Sequence, residues 1–142
     1  MADPNLGVLL FIPYRHMEQR IIAALNASGY PITAAQAHVS QRIGDAGSRL
    51  GELAEAASTT KQNAGFLVDQ LEKQGYVERA PDPGDARARL IRTTARGREA
   101  VAAAAEVEAA IEREWREHLG AEGTERLRAA LLKLREITDP YA

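Results

Sequence analysis

The spacing of apolar residues changes character several times along the chain. Between Asn5 and Asn26, Leu6, Leu9, Leu10, Met17, Ile21, Ile22 and Leu25 recur at helical intervals, with Pro13 inside the run. Proline removes an amide donor and clashes with the preceding turn, so the run predicts a kinked or split helix. Gly29-Tyr30-Pro31 closes it. Thr33 is suited to cap a second helix reaching about Ile43, with Gln36, Val39, Ser40 and Ile43 on one face. Gly44-Asp45-Ala46-Gly47 reads as a turn, and a short helix over Glu52–Ala57 follows with Leu53, Ala54 and Ala57 inward.

After Ser58-Thr59, Thr60 is an N-cap for a helix to Gln74, and Gly75 stands where a left-handed residue ends it. Ala64, Leu67, Val68 and Leu71 fall at i, i+3, i+4 and i+7, a core-facing stripe, and Gln62, Phe66, Asp69 and Lys73 lie opposite. Two helices across a tight turn, the second with a polar outer face, form a helix-turn-helix pattern. Tyr76–Arg79 and Arg89–Arg92 read as strands joined by a rigid tip, Pro81–Asp85. Thr94 opens a long helix to about Leu119, with Val101, Ala104, Ile111 and Trp115 on one side. Gly120 to Gly123 breaks it, and Thr124 opens a last helix striped by Leu127, Leu131 and Leu134. The fold class is mainly α with a small β-hairpin, an α+β arrangement.

Composition narrows the function classes. The chain has 142 residues, one domain by length, with 45% apolar and 27% charged residues, which excludes disordered and collagen-like chains. It has no cysteine, which removes disulfide scaffolds, thiolate metal sites and thiol redox sensing together. Leu6–Pro13 is too short for a membrane span and lacks the pattern of a secretory leader, so a cytoplasmic protein with no membrane partner is expected. The net charge of −2 argues against nucleic acid when taken whole. By segment, residues 1–59 carry −1, residues 60–98 carry +3 and residues 99–142 carry −4. Arg87 to Arg98 holds five arginines and no acid, beside turn residues and the candidate hairpin.

A helix-turn-helix followed by a basic hairpin suits duplex DNA. The second helix can enter the major groove, where base edges carry a distinguishable donor and acceptor code. Gln62 and Asn63 have amides for adenine, and Thr60 and Lys61 are placed for phosphates at the positive end of the helix dipole. Phe66 is expected to be an outward aromatic, packing on a thymine methyl or sugar, or tucked under the hairpin. Arg87 and Arg89 share one strand face near the minor groove, and Asp85 is placed to orient Arg87 by a charge-assisted bond. The ordinary alternative is a solvated polar helix start and a surface pair that holds the turn. Enzyme chemistry finds no support: His16, His38 and His118 lack ligand spacing, and no serine sits in a nucleophile elbow. No cofactor or metal is expected. His38 reads as a half-exposed structural histidine and Trp115 as a packing or pairing residue.

The run Leu67-Val68-Asp69-Gln70-Leu71-Glu72-Lys73-Gln74-Gly75-Tyr76-Val77-Glu78-Arg79, then Pro81–Arg87, then Thr94-Ala95-Arg96-Gly97-Arg98, resembles the MarR family of bacterial transcription regulators. The resemblance extends over about Leu6 to Ile137. It implies a single domain over 1–142, with a winged helix DNA-binding region at 33–98 and dimerisation helices at 1–30 and 99–142. It implies major-groove contacts from Thr60–Phe66, a wing pair at Asp85 and Arg87, and a homodimer on a palindromic operator with half-sites about one turn apart. Ser58 and Thr59 stand where glycine and an apolar residue are frequent, Ala86 removes a wing arginine, and Ser40 and Arg42 replace apolar residues. Many relatives are released from DNA by a small, often aromatic acid, and Tyr14, Arg20, Gln36, His38 and Ser40 are the candidates to line such a crevice here. The alternative is a winged helix serving only as a dimerisation or protein-docking module.

Overall fold

Asn5 starts the first helix by accepting the Val8 amide at 2.9 Å on its side-chain oxygen. In the computed structural model, which describes residues 2–140, the elements are α1 (Leu6–Ala27), α2 (Ala34–Ser40), α3 (Leu50–Ala56), α4 (Lys61–Lys73), β1 (Val77–Asp82), β2 (Asp85–Thr93) and α5 (Ala95–Thr138). The chain divides between Val107 and Glu108 into two compact units. Of the two outcomes expected at Pro13, a split does not occur: α1 is continuous over 22 residues. It ends with Gly29 left-handed at φ 87° and the Tyr30 amide donating back to the Leu25 carbonyl at 2.8 Å.

Thr33 and Gln36 close a reciprocal capping box on α2, Thr33 Oγ1 accepting the Gln36 amide at 3.2 Å and Gln36 Oε1 accepting the Thr33 amide at 3.1 Å. That helix stops at Ser40, short of Ile43. The next begins at Leu50, two residues before the apolar pattern announces it, because Arg49 takes the N-cap position without a side-chain cap bond. It ends in a Schellman turn. Ser58 adopts φ 54°, its amide donates to the Glu55 carbonyl at 3.1 Å, and the Thr59 amide donates to the Ala54 carbonyl at 2.9 Å. This is why glycine suits that position: serine there carries a Cβ cost of about 1 kcal/mol.

Thr60 Oγ1 accepts the Asn63 amide at 3.0 Å and starts α4, as expected. Its stripe, Ala64, Leu67, Val68 and Leu71, is buried. With Val39, Leu53, Tyr76, Val77, Ile91 and Ala100 it makes the core of the winged helix. The antiparallel hairpin pairs Val77 with Thr93 through to Asp82 with Asp85. The strands are thus longer than the sequence suggested, and the tip shrinks to Pro83-Gly84, with Asp82 Oδ1 accepting the Gly84 amide at 2.9 Å. Ser48 adds an isolated bridge to Ile91, exchanging two backbone hydrogen bonds of 3.0 and 2.8 Å.

Thr94 caps α5, accepting the Gly97 amide at 3.1 Å. Gly97 is packed so closely that a Cβ there would stand 2.2 Å from the Tyr76 carbonyl oxygen. The buried side of α5 includes Ala100, while Val101, expected inward, is 62% exposed. In the second unit Ile111 is fully buried and Trp115 half-buried. The break lies at Gly120 alone (φ 80°, ψ 162°), and helix resumes directly. Thr124 therefore does not open the last helix; it sits inside it, donating to the Gly120 carbonyl at 2.8 Å.

Candidate nucleic-acid interface

The N-terminal turn of α4 presents Lys61, Gln62 and Asn63 to solvent, with the partial positive charge of the helix end behind them. Their freedom differs. Thr60 is occupied as the cap, and Asn63 Nδ2 donates to Thr59 Oγ1 at 2.8 Å, so the Asn63 amide is partly committed to the turn. Gln62 has no such tie among the described residues and is the amide available for base edges. Phe66 is 60% exposed, one and a half turns further along, so it is not tucked under the hairpin.

The arginines of residues 79–98 sort themselves by partner. Arg79 is held by Asp69 at 2.8 Å and Glu72 at 2.9 Å, and Arg92 by Glu78 at 3.3 Å. Arg96 lies over the rings of Tyr30 and Tyr76, 5.3 and 5.1 Å from their centroids, and donates to the carbonyls of Gln74 and Gly29. Arg98 donates to the Thr93 carbonyl at 3.0 Å. Arg87 and Arg89 have no ion-pair or side-chain hydrogen-bond partner among the described residues, and both are exposed. Four of these six arginines are therefore structural, and two cations are left over on the wing. Asp85 departs from its expected role: its Oδ1 accepts the backbone amide of Arg87 at 3.0 Å, shaping the strand rather than pairing with the guanidinium.

Lys61 and Arg89 line one open cleft together with Arg49, Leu50 and Arg79, which places the start of α4 beside the wing. Arg49 and Asp82 were not singled out by the sequence. Arg49 donates from Nε and Nη2 to Asp82 Oδ2 at 2.9 and 2.7 Å. The Gly84 amide, and then Arg49, hold the Asp82 carboxyl below the usual carboxylate range. No local pattern signals this pair, since its members are 33 positions apart.

The residues expected to line an effector crevice do not form one site. Tyr14 Oη lies 3.0 Å from His38 Nε2, which is also 3.1 Å from Glu18 Oε1, a residue the sequence did not bring forward. Partial burial, and then Glu18, push the Tyr14 hydroxyl up. Gln36 is excluded from that surface: it is 4% exposed, and its Nε2 donates to Gln70 Oε1 at 3.0 Å inside the winged helix. Ser40 donates to the Ala37 carbonyl and lines a different cleft with Ile43, Glu78, Arg92 and Arg98. Arg20 is half-buried on α1. Among the described residues no cluster of three His, Asp or Glu could hold a metal ion, and no helix is long and apolar enough to cross a membrane.

Comparison with known proteins bears on what this arrangement is. The family model described as the MarR family matches residues 30–88, from the end of the α1–α2 connection to the wing. The crystal structure of MarR superposes with a TM-score of 0.77 at 26% identity, covering 94% of this chain and 96% of its own. Over residues 30–88 the chain is thus similar to the MarR family, and its fold is that of MarR. A transcriptional regulator from Thermotoga maritima superposes with a TM-score of 0.65 at 27% identity, with 92% of each chain covered. MepR from S. aureus, solved in complex with DNA, shares the fold with a TM-score of 0.72 at 23% identity, over 94% of this chain and 98% of its own. No curated protein sequence matches. The helix-turn-helix and hairpin anticipated from the sequence thus form a winged helix with the fold of MarR.

Proposed function

We propose that this chain is a MarR-family, sequence-specific, double-stranded DNA-binding regulator that acts as a homodimeric repressor on a palindromic operator. The observation that carries the reading is the set of uncommitted side chains: Gln62 and Lys61 on α4, and Arg87 and Arg89 on the wing, are exposed while the neighbouring arginines are consumed internally. Gln62 reads a base edge, Lys61 holds a phosphate at the helix N-terminus, and Phe66 packs on a sugar or thymine methyl. The wing arginines enter the adjacent minor groove, attracted by its negative potential. The DNA-bound MepR structure supports the same use of the fold.

Dimerisation is supported by the apolar residues left exposed on α1 and on residues 121–138. Leu9, Phe11 and Ile12 on α1, and Leu127, Leu131 and Leu134 on 121–138, are each more than 40% exposed. A small aromatic or acidic effector near Tyr14 and His38 would release the operator by favouring a dimer geometry that no longer spans two successive grooves. Selecting fragments of the source genome on the purified chain tests the central reading. Recovery of one sequence class bound more tightly than random duplex is expected, and retention of none rejects DNA recognition in favour of a protein-docking role.

A further inference from the structure

The wing is a two-stranded ribbon, a structure that is marginally stable by itself. It is anchored near its base. Ser48 bridges Ile91, and Arg79, paired with Ile91 across the hairpin, reaches Asp69 and Glu72 on α4. From Ile91 to Asp85 at the tip is six residues, about 20 Å of strand. Arg87 and Arg89 lie in that distal part. Among the described residues a single side-chain contact by hydrogen bond or ion pair ties the distal part, 80–90, to the helices: Arg49 with Asp82.

Asp82 uses both oxygens. Oδ1 accepts the Gly84 amide and shapes the turn, and Oδ2 receives the two guanidinium donors of Arg49. Arg49 is the N-cap of α3, and Lys61, the first residue of α4, lines the same cleft as Arg49 and Arg89. The charged bond therefore fixes the hairpin tip to the helix-turn-helix itself.

We propose that Arg49 and Asp82 are positioning residues that set the placement of Arg87 and Arg89 relative to the reading face of α4. The proposal rests on the DNA-binding reading above. It makes a prediction of unusual sign. Removing a carboxylate from a surface that meets phosphate strengthens binding when only charge matters. If Asp82 acts by holding the wing, its removal weakens binding instead.

The test measures the full-length chain by fluorescence anisotropy on its selected genomic fragment, with Asp82→Asn, Arg49→Ala and the double variant. Asparagine keeps an acceptor for the Gly84 amide, so the turn is retained. Each single variant is expected to weaken binding about tenfold, the lower part of the range for losing a good groove contact. The double variant is expected to be no weaker than the worse single one, because both changes break one tie. Amide exchange at Arg87 and Arg89 in the free protein should accelerate in Asp82→Asn while that of Leu67 and Val68 is unchanged. Binding by Asp82→Asn equal to or tighter than the wild type overturns the proposal. So do additive losses in the double variant, which would make Arg49 a phosphate ligand in its own right. If the wild type itself retains no fragment, the DNA-binding reading fails first, and unchanged exchange at the tip separately shows that the pair does not hold the wing.

Discussion

Residues 60–98 and the helices that flank them expose opposite kinds of side chain. In the middle segment the apolar residues Ala64, Leu67, Val68, Leu71, Val77 and Ile91 are buried, and the outward positions are mostly charged or polar, Lys61, Gln62, Arg87 and Arg89 among them, Phe66 excepted. In α1 the outward positions include Leu6, Leu9, Leu10, Phe11 and Ile12, and in 121–138 they include Leu127, Leu131, Leu132, Leu134 and Ile137. The first region completes its core within one chain and spends its surface on charge. The second leaves apolar area in water, a cost that an identical partner would remove. The segmental charges, +3 against −4 for residues 99–142, follow the same division. An overall charge of −2 therefore says little about nucleic acid, because the part that would touch phosphate is a minority of the chain.

The sharpest way to break this comparison is to charge the apolar face. Leu127→Glu with Leu131→Glu should convert the proposed dimer to monomer in sedimentation and lower operator affinity about 100-fold, the scale of linked two-site binding. Loss of affinity without dissociation would place these leucines in another role. Next in size is Arg87→Ala, expected to cost roughly 1–3 kcal/mol of operator binding while sedimentation stays dimeric. Arg92→Ala, whose guanidinium already faces Glu78, should cost less. Gln62→Ala should narrow the gap between operator and random duplex more than it weakens random binding, as read in competition titrations. Equal losses would make Gln62 a positioning contact.

Two smaller effects concern the scaffold beneath the reading face. Ser58→Gly should raise the unfolding free energy by several tenths to about 1 kcal/mol, since the φ 54° turn suits glycine. The operator footprint should not change. Finally, a carbon-detected titration should place the Asp82 midpoint below the ordinary value of about 3.9. A depressed carboxyl contributes stability above its unfolded midpoint and loses it as pH falls through the folded one, so the tie is complete at neutral pH. Arg49→Ala should bring the midpoint only part of the way back, because the Gly84 amide is the larger cause.

Much of the winged helix was legible because its signals are local. Thr33, Thr60 and Thr94 are caps that name their helices, Gly29 and Gly75 mark left-handed ends, and the α4 stripe follows from periodicity alone. What escaped depends on residues distant in sequence. The Ser48–Ile91 bridge and the Arg49–Asp82 bond join segments that no window contains. Gln36 was placed at a crevice because it is polar, yet its amide is satisfied by Gln70 and by the Thr33 amide, which makes burial affordable. Asp85 and Arg87 were paired by charge, whereas the backbone amide is the nearer donor. On α5 Ile111 is buried as read, but Val101 was placed inward where Ala100 is buried instead, because an alanine-rich helix carries a weak apolar signal. Lys61, Gln62, Arg87 and Arg89 were read correctly as exposed, but only the partners of the neighbouring arginines distinguish them from ordinary surface charge.

The central claim is that two copies present α4 and the wing to one operator. Hydroxyl-radical footprinting of the purified chain on its selected fragment measures this directly. The account predicts protection symmetric about the operator centre, with α4 sites about one helical turn, roughly 34 Å, apart and outer minor-groove protection that is lost in Arg87→Ala. A single unsymmetrical patch, or outer protection that survives Arg87→Ala, would contradict it.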